Sequence, residues 1–208
     1  MSKNVVVLVS GGGTNLQALI NAEKRGEIKN GKITCVISSK ADAYALTRAR
    51  ENGIKTVVLE RRSFTDVHSY SEAVLRALKE EKADVIVYAG FMTILDGSVC
   101  SEYNGKMINV HPSLIPSFCG KGFYGLKVHE EALKKGVKVS GATVHFVTEE
   151  CDGGPIILQK AVEVKEGDTP EVLQKRIMEN AEWILLPQAV SLLCEDRISI
   201  KDGKTIIK

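Results

Sequence analysis

The feature that most constrains this chain lies at its start. Val5-Val-Val-Leu-Val9, a run without a polar residue, leads straight into Ser10-Gly-Gly-Gly-Thr-Asn15. An unbroken aliphatic run bounded by glycines is expected of a central parallel strand buried on both faces, because a strand with one wet face would alternate. From Asn15 to about Arg25, Leu16, Leu19 and Ile20 recur at helical spacing until Gly26 stops the pattern. Strand, glycine loop and helix together are half of a βαβ unit, the connection that parallel strands require.

The alternation continues down the chain. Ile33 to Ile37 read as strand, Ala43 to Asn52 as a helix ended by Gly53, Thr56 to Leu59 as strand, and about Asp66 to Glu81 as a longer helix. Val85 to Ala89 and Met107 to Val110 add two more strands. Five strands alternating with helices predict an α/β fold, a single doubly wound, mostly parallel sheet of Rossmann-like type. After Pro112 the character changes. A helix near Val128 to Lys135 stops at Gly136, and Val139 to Val147 and Ile156 to Val164 read as antiparallel C-terminal strands. A last helix begins near Asp168-Thr-Pro-Glu171, where Asp168 or Thr169 can cap and Pro170 is tolerated, with Leu173, Ile177, Ile184 and Leu185 as its buried stripe. Asp202-Gly203 signals a closing hairpin. With 208 residues and no repeat or proline-rich linker, residues 1–208 are expected to form one domain.

Charge narrows the partners. The 28 basic and 26 acidic side chains leave +2, too little for a nucleic-acid surface or a polybasic membrane anchor, so small-molecule substrates are expected. Five scattered cysteines without a C-x-x-C pair suggest reduced thiols and hence the cytoplasm. No stretch approaches the roughly 20 apolar residues of a membrane span, and the N-terminal run lacks the pattern of a signal peptide.

Three constellations can carry chemistry. The glycine loop precedes a helix, where unpaired N–H groups and the helix dipole favour an anion. It is not the dinucleotide fingerprint, since Leu16 stands where the third glycine should be, nor a Walker A loop, since Leu16-Gln17 replace Gly-Lys. A single phosphate fits better, with Thr14 and Asn15 adding side-chain donors. The alternative is a mere tight turn, but three consecutive glycines carry an entropy cost that a turn does not need.

Asn109-Val110-His111-Pro112 ends a predicted parallel strand, the edge where open α/β sheets place ligands. Strand alternation puts Asn109 and His111 on one face, an amide donor beside an acid or base. The other histidines are expected to be ordinary: His68 and His129 as surface helix positions, His145 as a packed or hydrogen-bonded strand residue. The third constellation is Thr148-Glu-Glu-Cys-Asp-Gly-Gly-Pro155, in which Gly153 and Gly154 would let the backbone approach a flat ligand. If Asp152 folds toward His111, its charge would raise the His111 pKa. His111, His145, Cys151 and Asp152 lack a metal-ligand spacing, so no metal is expected.

Together these pieces resemble the phosphoribosylglycinamide formyltransferase family, the small folate enzymes of purine synthesis. The similarity runs from VVVLVSGGGTNLQALI through ADVIVYAGFMTIL, INVHPSLIPSF and SGATVHFVTEECDGGPIILQ to GDTPEVLQKRI. The resemblance implies that Asn109, His111 and Asp152 are catalytic and that Gly13, Thr14 and Asn15 hold a substrate phosphate. It implies that Met92, Thr93, Ile94 and Leu95, with Asn109, Thr148 and Asp152, bind 10-formyltetrahydrofolate, and that Glu182, on a helix carrying an extra residue, binds ribose hydroxyls. Residues 1–106 would then be the phosphate- and substrate-binding half, and 107–208 the catalytic and folate-binding half. Basic residues of the family pattern are replaced here by Thr93 and Val67, so a glutamate tail would turn to Arg61, Arg62 or Lys121 or find no specific partner, and the segment Cys119 to Lys127 is longer than in many relatives.

The implied reaction is direct transfer of the formyl group to the amine of glycinamide ribonucleotide, in which Asn109 and a protonated His111 assist the oxyanion and Asp152 keeps His111 charged. A monomer or homodimer is expected. The alternatives are a formyltetrahydrofolate hydrolase and a non-catalytic sugar-phosphate sensor on the same sheet.

Overall fold

A computed structural model describes residues 2–208. The first strand, β1 (Lys3–Val9), is central in a seven-stranded sheet, and its composition follows from that place. Val5, Val7 and Val9 enter one apolar cluster and Val6 and Leu8 the other, so neither face is wet. The flanking strands are β2 (Gly31–Ser38) and β4 (Val85–Tyr88), both parallel to β1. Beyond them lie β3 (Lys55–Val58) on one side and β5 (Met107–His111), β6 (Val139–Phe146) and β7 (Ile156–Glu163) on the other, giving the order β3-β2-β1-β4-β5-β6-β7. The first five strands are parallel; β6 and β7 join antiparallel. Both halves of the chain therefore feed one sheet, and the order reverses between β1 and β4, the kind of switch point at which α/β sheets open a crevice.

Helices cover both faces. Helix α1 (Thr14–Lys24) contributes Leu16, Leu19 and Ile20 to the first cluster, beside α2 (Tyr44–Glu51). On the other face, α3 (Val67–Glu80) buries Tyr70, Val74 and Leu78. It packs next to α4 (Gly97–Glu102), a helix too short to show a period in the sequence, which starts where Asp96 Oδ1 accepts from Ser98 N at 3.0 Å. Helix α5 (Leu126–Lys135) follows the glycine-rich segment. Its His129 is fully buried, against the surface position expected, because the inward face comprises Val128, His129 and Ala132.

The C-terminal helix is two helices with a π-helical turn between them. Helix α6 (Pro170–Ile177) is capped by Thr169, whose hydroxyl accepts from Val172 N at 3.4 Å, while Asp168 instead binds Arg176 through both carboxylate oxygens. Met178–Glu182 form the π turn and α7 (Trp183–Cys194) follows. The extra residue of an i→i+5 turn advances the helical phase by about 100°. Ile184 is therefore 46% exposed and not part of the buried stripe, whereas Leu173, Ile177, Leu185 and Leu186 are buried and Glu182 turns inward. The hairpin of β8 (Ile198–Lys201) and β9 (Lys204–Ile207) turns on Asp202 and Gly203 at φ 51° and 71°, the left-handed pair that a type I′ turn needs. No helix among the described residues is long and apolar enough to cross a membrane.

Candidate active site

The carboxyl end of β5 carries Asn109 and His111 on one face, and antiparallel pairing sets His145 of β6 directly opposite Asn109. The loop after β6 returns Asp152 to the same place, with Oδ2 3.5 Å from His111 Nδ1 and Oδ1 3.5 Å from His145 Nε2. Asn109, His111 and Asp152 thus come together as the motifs suggest, and His145, expected as a packed or hydrogen-bonded strand residue, joins them through its hydrogen bonds. Partner chemistry fixes the tautomers. The Phe118 carbonyl can only accept, so His111 Nε2 donates to it at 2.9 Å; the Phe146 carbonyl likewise takes the proton of His145 Nδ1 at 2.8 Å. His145 Nε2 is left to accept from Asn109 Nδ2 at 3.1 Å, which fixes the orientation of that amide and leaves its second hydrogen for another acceptor.

Two residues hold this cluster in unusual backbone. Phe118 and Asp152 have φ of 50° and 56°, a left-handed conformation that costs non-glycine residues about 1–2 kcal/mol. The segment 118–120 clamps both partners of the pair: the Phe118 carbonyl accepts from His111, and Gly120 N donates to Asp152 Oδ2 at 2.8 Å. Burial by itself would push the Asp152 carboxyl up. Contact with His145, the nearby His111 and the Gly120 N–H outweigh it and hold Asp152 below its ordinary value. For His111 the balance falls the other way. Burial lowers its pKa by more than Asp152 raises it, so the net shift is downward although Asp152 acts in the expected direction. Gly153 and Gly154 are also required by the packing of the loop itself. Their bare Cα atoms make room for the chain itself, a Cβ on Gly154 colliding with the Phe146 carbonyl and one on Gly153 falling 2.5 Å from the Glu150 side chain.

The glycine loop lies at the N-terminus of α1, with Gly13 as N-cap at φ 72°. Thr14 opens the helix half-buried. Asn15 Nδ2 donates one hydrogen to Glu182 Oε2 at 2.7 Å, which ties the loop to the C-terminal helices. The π turn brings Glu182 to this loop, where it is buried and its carboxyl is pushed up to about 7 by burial, against a smaller lowering by Asn15. Gly13→Ala would place a methyl 2.6 Å from Ala45 Cβ at a positive φ, whereas Gly12 has nothing within 4 Å. We expect Gly13→Ala to destabilise the fold by about 2–4 kcal/mol from overlap and strain together, and Gly12→Ala to be near neutral. Denaturant melts of the two variants that coincide would refute this.

Met92 to Leu95 and the loop after β6 are the segments expected to bind the folate. Met92 and Ile94 are 51% and 62% exposed while Leu95 is buried, an apolar lip anchored by Met92 N donating to Ser10 Oγ at 2.9 Å. Glu149 packs so closely on Gly97 that a Cβ there would meet its carboxylate, tying the two segments together. Thr148 Oγ1 donates within its own loop to the Glu150 carbonyl at 3.2 Å. An adjoining cleft of about 780 Å³ is lined by Asp152 and Gly120 together with Pro116, Cys151 and Lys204, but not by Asn109 or His111.

Residues 3–190 match the family described as Formyl transferase. The phosphoribosylglycinamide formyltransferase of Escherichia coli (strain K12) is 40% identical over 200 residues, which are 96% of this chain and 91% of that protein. The trifunctional purine biosynthetic protein adenosine-3 of Homo sapiens is 42% identical over 201 residues, which are 96% of this chain and 19% of that protein. Among solved structures, glycinamide ribonucleotide transformylase 1 from Symbiobacterium toebii is similar with a TM-score of 0.93 at 39% identity, covering 99% of this chain and 94% of that one.

Proposed function

The chain belongs to the formyl transferase family, and on that premise we propose that Asn109, His111 and Asp152 carry out direct transfer of the formyl group of 10-formyltetrahydrofolate to the amine of glycinamide ribonucleotide. The chain is a formyltransferase of purine biosynthesis, with glycinamide ribonucleotide as acceptor and a folate as co-substrate. The observation that carries the residue assignment is the single carboxylate of Asp152 set between two imidazoles, one of which fixes the Asn109 amide.

The substrate amine attacks the formyl carbon, and negative charge builds on the formyl oxygen. The second Asn109 hydrogen is the donor for that oxyanion, where a preorganised amide is most effective. As the C–N bond forms the amine nitrogen becomes cationic. Asp152, ionised at neutral pH, takes one of its protons with His111 as the neighbouring relay. Collapse of the tetrahedral adduct breaks the bond to the folate nitrogen, which receives the proton, and the pair returns to its resting state. Met92, Thr93, Ile94 and Leu95 with Thr148 form the folate side, and the N–H groups of Gly13, Thr14 and Asn15 take the phosphate. The five free cysteines suit the cytoplasm.

The test is an assay with 10-formyltetrahydrofolate, with and without glycinamide ribonucleotide. Formylated acceptor and tetrahydrofolate should appear together, and only with acceptor present. Formate released without acceptor would make the chain a hydrolase, and absence of folate binding by calorimetry would make it a sensor.

Glu182 gives this reading a pH signature. A carboxylate must be ionised to accept two ribose hydroxyls, and Glu182 is protonated below about 7 in the free protein. Affinity for glycinamide ribonucleotide is expected to rise with pH toward that value, by up to about tenfold per pH unit, and then level off. Glu182→Gln should bind weakly with no such slope. A wild-type Kd that does not change across this range would remove Glu182 from the ribose site.

A further inference from the structure

The glycine loop is oriented from behind by α2 and by the first turn of α1. The Gly11 carbonyl accepts from Ala45 N at 3.0 Å, the Gly12 carbonyl from Arg48 Nε at 2.9 Å, and the Gly13 carbonyl from Gln17 N at 2.9 Å. None of the N–H groups of Gly11, Gly12 and Gly13 is bonded within the described residues. Because a carbonyl and the next residue's N–H point oppositely across a trans peptide, tying these carbonyls aims the unbonded N–H groups of Gly12, Gly13 and Thr14 the other way, as an anion cradle. Its orientation depends at the middle residue on a side chain, Arg48.

Arg48 is held as a fixed charge. Nη1 donates to Gln17 Oε1 at 3.2 Å, the guanidinium lies 5.0 Å from the Tyr44 ring centroid, and the side chain is half-buried. The surface arginines Arg25 and Arg62 pair with carboxylates, but Arg48 makes no ion pair among the described residues. The loop Ser10 to Asn15 itself carries no charged side chain. A guanidinium without a counter-ion, stacked on an aromatic ring and bonded to the back of an anion cradle, places uncompensated positive charge where a phosphate would bring negative charge.

Resting on the assignment of the glycine loop to the substrate phosphate, we propose that Arg48 is a positioning residue for that site: it holds the Gly12 carbonyl away from the phosphate and supplies the cation behind the cradle. It makes no contribution to the chemical step. Its effect is confined to acceptors that carry the phosphate.

The experiment compares glycinamide ribonucleotide with its dephosphorylated riboside in the wild type, R48M, R48Q and R48K. The wild type should favour the phosphorylated acceptor in kcat/KM. R48M should lose about tenfold or more of that preference, through a higher KM for glycinamide ribonucleotide with kcat and the KM for folate within about twofold. R48K, which keeps the charge without the planar fork, should be intermediate, and R48Q, which keeps a donor without the charge, should lie closer to R48M. A purely structural role would weaken both acceptors alike and leave the ratio unchanged; that result overturns the proposal. If R48M does not fold, the same ratio in R48Q decides. A wild type with no preference for the phosphorylated acceptor would instead refute the phosphate reading of the loop, before any variant is measured.

Discussion

Asn109→Ala is expected to lower kcat by on the order of 10²–10³, the usual loss when one oxyanion donor is removed, with the KM for both substrates changed far less. The size of the effect follows from how firmly the amide is held. Its first hydrogen is committed to His145 Nε2, so the second can be aimed before substrate arrives and needs no reorganisation in the transition state. The same bond gives the variant a second signature. Truncation leaves the buried His145 Nε2 without its donor, and an unsatisfied buried acceptor costs about 1–3 kcal/mol. Thermal melting should therefore show a modest loss of stability beside the large loss of turnover. Near-normal turnover in a folded Asn109→Ala protein would remove Asn109 from the chemistry.

Asp152→Asn preserves shape and removes charge. With no carboxylate to take the amine proton, kcat is expected to fall by about 10²–10⁴. The variant also reports on His111. Of the influences on that imidazole, Asp152 is the first that favours the charged form, opposing the dominant lowering by burial. Without it the His111 pKa must fall further below the ordinary value, and NMR titration of the ring should show this directly. A His111 titration unchanged by the substitution would detach Asp152 from the pair, whatever happened to the rate.

What could be read from the sequence follows physical range. β1 was legible because burial on both faces leaves an all-aliphatic run, and the strand-end place of Asn109 and His111 because strand alternation is local. His145 was not, since its role depends on antiparallel register, which pairs it with Asn109 across 36 residues of chain. The bond of Asn15 to Glu182 was equally out of reach, because that partner lies 167 residues away. His129 read as a surface helix position, whereas which face of α5 turns inward is set by packing in the assembled fold. The π turn has no residue signature of its own, and it displaced Ile184 while turning Glu182 inward. The influence of Asp152 on His111 was foreseeable in sign; burial, which decides the net direction, is a property of the assembled site.

The strand order also governs how the chain is made. Every neighbouring pair in the large sheet joins consecutive strands except β1 and β4. As the nascent chain leaves the ribosome, β1, β2 and β3 can associate at once, but the other edge of β1 stays open until β4 is synthesised. At about 5–20 residues per second that wait lasts roughly 4–15 s. Throughout it the exposed edge is the Val5 to Val9 run, the kind of apolar strand edge that recruits a wrong partner. That exposure precedes the synthesis of Asn109, His111 and Asp152, so chaperone dependence should track the timing of β4 rather than changes at the catalytic cluster.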